Sequence, residues 1–405
     1  MTKSQWFDEE NPDFPLAPVY LLGKKNADKN KGMKENNLLS LSYGNIIRKN
    51  IDDTGGLRPD SFETYQVVRP GDTVLRFTDL QNDHKSLRSG LVTEKGIITS
   101  AYIGFRPDPR MVNPTYFAYT MRALDGMKAF YEMGSGVRQS LNWEEFSALY
   151  MPLPDLETQR RIADYLDKEI SEMDALIEEF EGLKTDLQNR ATPFAKRHLD
   201  ELKSAGVGLT HLGLHTSFIG GSGFNERYQG VEGEELPFYK VGSLSTMNSR
   251  AIVHDYSNTV SRDTAEEIGA RVVPAGSILL AKVGEAMRLN RFGINSVDCC
   301  IDNNMLSVQP DLQVLDTDYL RLALTQLPID VLINPGPVPS LNTSAFRSFK
   351  FPLPNLDDQR EVATNWQREM DKSASLIDES TQLIENLKAR KTALITEVVT
   401  GRKEV

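Results

Sequence analysis

The stretch Ser140–Arg160, SLNWEEFSALYMPLPDLETQR, is nearly repeated two hundred residues later as Ser340–Arg360, SLNTSAFRSFKFPLPNLDDQR. The register holds without a gap: between Ser140 and Phe194, 19 of 55 positions are identical to the residue 200 further on. The chain is therefore a tandem duplication. A period of that length is far too long for a solenoid, so the repeat implies two copies of a domain followed by a helix. Each copy ends in a proline-stopped loop that leads into a long helical stretch.

In the first copy, apolar residues fall at Ile162, Leu166, Ile170, Met173, Ile177, Phe180, Leu183 and Leu187. Steps of three and four mark an amphipathic helix with a seam near the heptad period. Pro154 before the first turn and acids within it are start signals. The second copy places Val362, Trp366, Met370, Ile377, Leu383, Leu387, Leu394, Ile395 and Val398 on the matching stripe, with Ser373 and Ser380 in place of Met173 and Phe180. A narrow seam on two charged helices calls for a partner helix, and the simplest partner is the other copy. The alternative is that each helix packs only on its own domain. Pro193 and the run Ser204–Gly208 are read as the end of the first helical region and a linker.

The segments before the helices read as short strands separated by turns. Tyr65–Leu75 and Ala270–Leu280 share the pattern strand, turn, strand, punctuated by Pro70-Gly71 in the first and Pro274-Ala275-Gly276 in the second; Arg88–Leu91 matches Arg291–Ile294, and Tyr116-Phe117 matches Tyr319-Leu320. The expected fold is α+β: two strand-rich globular heads separated by two long helices in an antiparallel coiled coil, a pseudo-two-fold tandem repeat. The expected boundaries are 1–150 for the first head, 151–203 for the first helical region, 204–350 for the second head and 351–405 for the second helical region.

Charge limits the function classes. The net charge is −11, which at face value argues against nucleic acid. By segment, residues 1–139 carry +2, 140–203 carry −7, 204–339 carry −6 and 340–405 are balanced. Total charge governs solubility and steering rather than fold, so a DNA-binding reading needs the bases gathered on one face or supplied by partners. No run of 18 apolar residues is present, and the acidic start MTKSQWFDEENPDFP lacks the apolar stretch of a signal peptide. The only cysteines are the neighbours Cys299 and Cys300, which form no disulfide framework. The expectation is a reduced, cytoplasmic protein.

Motifs for chemistry are scarce. Asn113-Pro114-Thr115-Tyr116 approaches the (Asp/Asn)-Pro-Pro-(Tyr/Phe) signature of amino-group DNA methyltransferases but departs from it at Thr115. Gly134-Ser135-Gly136 and Gly220-Gly221-Ser222-Gly223 lack the full strand–loop–helix fingerprint, and no GxxxxGK[ST] occurs. His211 and His215 are four apart without the Glu of HExxH. No catalytic residue and no metal site is nominated.

The segments PLPDLETQRRIADYLDKEISEMDALIEEFEGLK (152–184) and PLPNLDDQREVATNWQREMDKSASLIDESTQLIENLKARKTALITEVVTG (352–401) resemble the two repeated helical regions of the DNA-specificity subunits of Type I restriction–modification systems. LPFYKVGSLS (236–245) resembles the opening strand motif of that family's target-recognition domains, and LLSLSYGNII (38–47) is its loose counterpart in the first head. The resemblance covers essentially the whole chain. It implies a non-catalytic subunit in which each head reads one half of a split, asymmetric DNA site. The helices would set the gap and dock two methyltransferase subunits, with an ATP-driven translocase and nuclease as an optional further member. It also implies no cofactor in this chain, with S-adenosylmethionine, ATP and Mg on the partners. Residues 157–190 as helix would span about 50 Å, against roughly 34–36 Å for one DNA turn.

Contacts to double-stranded DNA would come from polar and basic side chains on the heads, because Arg, Lys, Asn and Gln match the edges of guanine and adenine. The nominees are Arg48, Lys49, Arg76, Lys85, Arg88, Arg138 and Gln139 in the first head. In the second they are Lys240, Ser243, Arg250, Lys282, Arg288, Asn290 and Arg291, the last four in one predicted loop. Two rival classes stay open: a self-sufficient DNA-modifying enzyme, which lacks a phosphate or cofactor loop here, and a structural coiled-coil adaptor, which has no need of two diverged heads.

Overall fold

The computed structural model describes residues 7, 14–51, 61–80, 87–133 and 140–405. The chain divides into two compact units, Met1–Glu179 with Leu383–Val405, and Phe180–Gln382.

The first unit contains a four-stranded antiparallel sheet in the order Gly23–Lys25, Ile103–Pro107, Thr73–Leu75, Ser89–Leu91. The second contains its counterpart in the order Thr216–Gly220, Met305–Pro310, Ile278–Ala281, Gly293–Ile294. Registers fix the correspondence residue by residue. Thr73 pairs with Phe105 as Ile278 pairs with Val308, and Lys25 pairs with Phe105 as Phe218 pairs with Val308. The strand–turn–strand units matched in sequence are thus the same elements in space.

The heads diverge at their outer strands. In the first, Leu39–Ser42 and Asn45–Arg48 form a hairpin through Tyr43-Gly44, both at positive φ, the two-residue turn whose twist suits a hairpin. In the second, Leu236–Tyr239 is a buried strand between Thr259–Val260 and Cys300–Ile301, followed by a 3-10 turn over Val241–Ser245. Residues 38–47 and 236–245 therefore correspond only at their start: Leu38 bridges Ile97 in parallel as Phe238 pairs with Cys300 in parallel.

The repeated motif is a joint. Asn142 and Asn342 cap the short helices Trp143–Ser147 and Thr343–Arg347, and Phe146 and Phe346 bury beneath them. Pro152 and Pro352 close a two-stranded ladder with Leu16–Pro18 and Leu209–His211 respectively. The buried Gln159 accepts the Asn113 N–H at 2.8 Å and donates to the Pro154 carbonyl at 2.7 Å. Gln359 accepts the Asp316 N–H at 2.9 Å and donates to the carbonyls of Pro354 and Val314. Asn113 and Asp316 in turn cap the head helices Pro114–Gly126 and Thr317–Leu324, whose Tyr116 and Tyr319 hydroxyls donate to the Pro152 and Pro352 carbonyls. The methyltransferase-like tetrad at Asn113–Tyr116 is thus a helix start, with a capping Asn and Pro at the first helical position.

The long helices are Leu156–Asn189 and Leu356–Val399. In the first unit they run antiparallel: Asp174 meets Lys391 at 2.5 Å, and Tyr165 meets Lys403 at 3.0 Å. Ile162, Leu166, Ile170 and Met173 share one cluster with Leu394, Ile395 and Val398, and also with Val19 and Phe117 of the head. The stripe packs on the other helix and on its own head together, so the reading of a helix packed only on its own domain does not hold here. In the second unit Arg190 meets Glu369 at 3.3 Å, and Ala195 and Leu199 share a cluster with Ala363 and Trp366.

Two expectations are corrected. Pro193 does not end the helical region. It lies in the first turn of a further helix, Ala191–Ser204, where a missing N–H costs nothing. Leu383 is not a seam residue: it is 45% exposed, while Ile384 is 5% exposed and fills that position. Positions 373, 377, 380, 384, 387, 391, 394 and 398 follow the strict alternation of four and three, and Leu383 falls one short. Leu183 is exposed for the same reason.

The joint yields a prediction. Gln159→Ala strips a partner from a buried N–H and a buried carbonyl, so it should cost about 2–4 kcal/mol in denaturant unfolding. Arg160→Ala, on the exposed face next door, should stay within about 0.5 kcal/mol. Equal losses in the two variants would show that the glutamine does not hold the joint.

Candidate nucleic-acid interface

The nominated residues sort by burial and pairing. Arg88 is fully buried. Its guanidinium donates to the carbonyls of Thr78 and Asp79 and approaches the Tyr131 hydroxyl and ring. It is a core residue of the first head, which corrects its nomination. Ser243 is likewise buried, accepting the Lys240 N–H at 3.0 Å and donating to Asp255 at 2.5 Å. It holds its own turn and presents nothing outward. Lys85, Arg138 and Gln139 lie outside the described residues.

Arg48 is exposed and forked onto Glu94, and Lys49 follows it on the exposed end of the hairpin. Arg76 is half-buried, with its backbone N–H on the Arg88 carbonyl. The predicted loop 282–291 is a 3-10 turn over Glu285–Leu289 that divides its cations. Arg288 pairs with Glu285 and Asp330, Asn290 adopts φ 53° to end the turn, and Arg291 is exposed. An exposed ion pair is worth about 0–1 kcal/mol, so a phosphate could displace Glu94 or Asp330, but only in competition.

Lys240 and Lys282 are brought together. They follow two strands of different sheets, Leu236–Tyr239 and Ile278–Ala281, and both face Asp302 in the turn after Cys300–Ile301. Burial holds the Asp302 carboxyl above the usual range, against the pull of the two ammonium groups and the Asn304 N–H. Lys240 donates to Gln229 at 2.7 Å and lies over the Phe224 ring. Arg271, which the sequence did not single out, donates to the Gly220 carbonyl at 3.3 Å from the same neighbourhood. A signal existed: Lys-Val-Gly occurs at both 240–242 and 282–284, each time directly after a buried apolar strand.

Arg250 opens onto a groove of about 550 Å³ between the second head and its helix, lined also by Gly276, Asp318, Arg360, Gln367 and Asp371. Both thiols are buried. Desolvation pushes Cys299 far up and Cys300 to about 11, so neither is a nucleophile. His211 and His215 engage the Ser348 carbonyl and the Thr210 hydroxyl. Among the described residues, no group of three metal-ligating side chains comes together.

Comparison with known proteins gives likenesses of two kinds, in sequence and in fold. Residues 224–386 match the Type I restriction modification DNA specificity domain. The likeness to that domain covers the second head and most of the helix that follows it. Its fold is similar to a chain solved in work on complex assembly and conformational transition of the type I R-M system, with TM-score 0.66, 14% identity, and 96% of this chain and 98% of that chain covered. It is also similar to the HsdS subunit from Thermoanaerobacter tengcongensis, with TM-score 0.53, 14% identity, and 97% and 98% covered. The matched segment holds the Lys240–Lys282 cluster. The other copy of the head and helix repeats the same inner sheet order and joint in the first half of the chain.

A buried charge in the first head gives a pH prediction. Asp125 is buried with one oxygen on the Arg88 N–H and the other without a partner, and burial raises its pKa to about 6 against the pull of Lys128, Arg88 and Arg122. A raised folded pKa means full stability below the unfolded value near 4, lost as pH climbs through about 6. Asp125→Asn should therefore stabilise the chain by about 2–3 kcal/mol at pH 7 and flatten the fall between pH 4 and 6. A parent-like fall in the variant would refute the assignment.

Proposed function

We propose that this chain is the non-catalytic DNA-recognition subunit of a Type I restriction–modification complex, with each head reading one half of a bipartite, asymmetric site. The observation that carries the reading is the pairing of one repeated architecture with two different outer surfaces. The joints at Gln159 and Gln359 share the same two bonds, to the start of the head helix and to the second proline of the loop, while the first head presents a hairpin where the second presents a lysine-bearing strand end. A symmetric dimer reads a palindrome; two unlike heads in one chain read an asymmetric sequence.

In this reading the antiparallel helices set the gap between the half-sites. Their acidic outer residues Asp164, Asp167, Glu172, Glu178 and Glu179 seat two methyltransferase subunits. Those subunits carry S-adenosylmethionine, and a restriction subunit, where present, carries ATP and Mg. The work is done on DNA in the cytoplasm. No helix of the described residues is long and apolar enough to cross a membrane. Adenine methylation mapped in cells with and without the chain tests the proposal: a split motif should vanish with the chain, and an unchanged methylation pattern would overturn the reading.

The helices as a ruler make a further prediction. Four residues inserted after Leu176 and four after Leu376 add about one turn, roughly 6 Å, to each helix. At about 3.4 Å per base pair the unread gap should lengthen by one or two base pairs with both half-sites unchanged. A single insertion should mismatch the seam and destabilise the chain. A gap that stays the same after the double insertion would show that the spacing is set elsewhere.

A further inference from the structure

The glycine run Gly220–Gly223 has no role in the joint or the helices, yet it lies where the second head's cations converge. A Cβ built on Gly220 would stand 3.5 Å from the Lys282 ammonium and 3.8 Å from the Arg271 guanidinium. Gly221 cannot carry a side chain at all, because its Cβ would fall 1.9 Å from the Asp302 carbonyl. The turn is thus pinned against the sheet, and its bare backbone leaves the space between two cations open.

Both cations are held in place. Arg271 is exposed but anchored by one donor on the Gly220 carbonyl. The backbone of Lys282 is fixed on both sides, its N–H on the Asn304 carbonyl and its carbonyl on the Leu341 N–H. Among the described residues neither forms an ion pair, nor does Lys240. Two carboxylates lie nearby: Asp302 is half-buried and already receives the Asn304 N–H at 2.8 Å, and Asp255, which faces Lys240, receives the Ser243 and Ser257 hydroxyls. Three cations around two committed carboxylates, in a head of net negative charge, leave a local excess that an external anion would satisfy.

Resting on the reading of this head as a DNA binder, we propose that Arg271, Lys282 and the Gly220–Gly221 turn form a seat for a backbone phosphate of double-stranded DNA. A glycine backbone flanked by cations admits a phosphate closely and carries no base information, so the seat orients the duplex and leaves reading to other side chains. Among the described residues the first head has no such seat. By register its Asp28 occupies the place of Gly221, and Asp28 is paired with Arg106 at 2.9 Å and Arg69 at 3.2 Å. There the turn supplies its own anion.

The test uses the full chain with its partner subunits, on a duplex carrying the mapped methylation motif and on one with the second half-site scrambled. In Arg271→Ala/Lys282→Ala, affinity should fall by the same factor on both duplexes. The slope of log K against log salt should become shallower by about one to two, close to one for each phosphate that is no longer neutralised. The methylated motif should not change. Gly220→Asp places a carboxylate between the two cations and should reproduce that loss with an unchanged melting temperature. An unchanged salt slope in folded variants would overturn the seat, and so would a relaxed motif, which would make these residues base readers. If the parent complex binds neither duplex, the functional reading falls and the seat with it.

Discussion

Each head is tied to its long helix through one buried glutamine, and the rest of the architecture depends on that side chain. Gln159 and Gln359 sit in the first turn of the long helices and cap two things at once. The amide oxygen takes the N–H of the residue that starts the head helix, and the amide nitrogen donates to the carbonyl of the second proline in the loop. Only a carboxamide can do both, since a carboxylate has no donor. A buried group left without its partner is costly, so the angle between head and helix is fixed by hydrogen bonds that cannot be traded for water. The prolines, the capping Asn or Asp, and the Tyr116 and Tyr319 hydroxyls on the proline carbonyls complete the same joint.

This explains why the duplication is plainest at that point and faint elsewhere. The joint needs the same residues in both copies because it performs the same mechanical task, so the repeat, the helix starts and the order of domain and helix were legible in the sequence. The inner sheet was legible as well, through the proline- and glycine-bearing turns that precede Thr73–Leu75 and Ile278–Ala281. The outer strands were not. Residues 38–47 and 236–245 share an apolar rhythm, and nothing local distinguishes a hairpin through Tyr43-Gly44 from a buried strand that ends in a 3-10 turn.

The seam shows how far periodicity reaches. A stripe chosen by apolar identity admits Leu183 and Leu383, but the seam admits residues by angle. Buried Ser373 and Ser380 and the half-buried Lys184 hold seam positions, while two leucines one residue short stand in solvent. A hundred degrees per residue separates Leu383 from Ile384, and one step is enough to turn a side chain out of the interface. Polar residues in the seam weaken it locally and restrict which registers are acceptable, a use of buried polarity familiar in coiled coils.

The site was the least legible part, because sequence shows charge and hides pairing. Arg88 and Arg291 look equivalent in the aligned segments Arg88–Leu91 and Arg291–Ile294, yet one is sealed in a core among carbonyls and the other is exposed. Arg48 and Arg288 are exposed but matched to Glu94 and Asp330. What separates a DNA-facing cation from a structural one is whether the fold has already given it an anion. By that criterion the second head offers Lys282 and Arg271 beside a committed Asp302, whereas the first closes the equivalent turn with Asp28 between Arg69 and Arg106. A chain of net charge −11 can therefore grip a polyanion. Attraction at contact depends on unneutralised charge within a Debye length of about 8 Å, and charge farther off is largely screened.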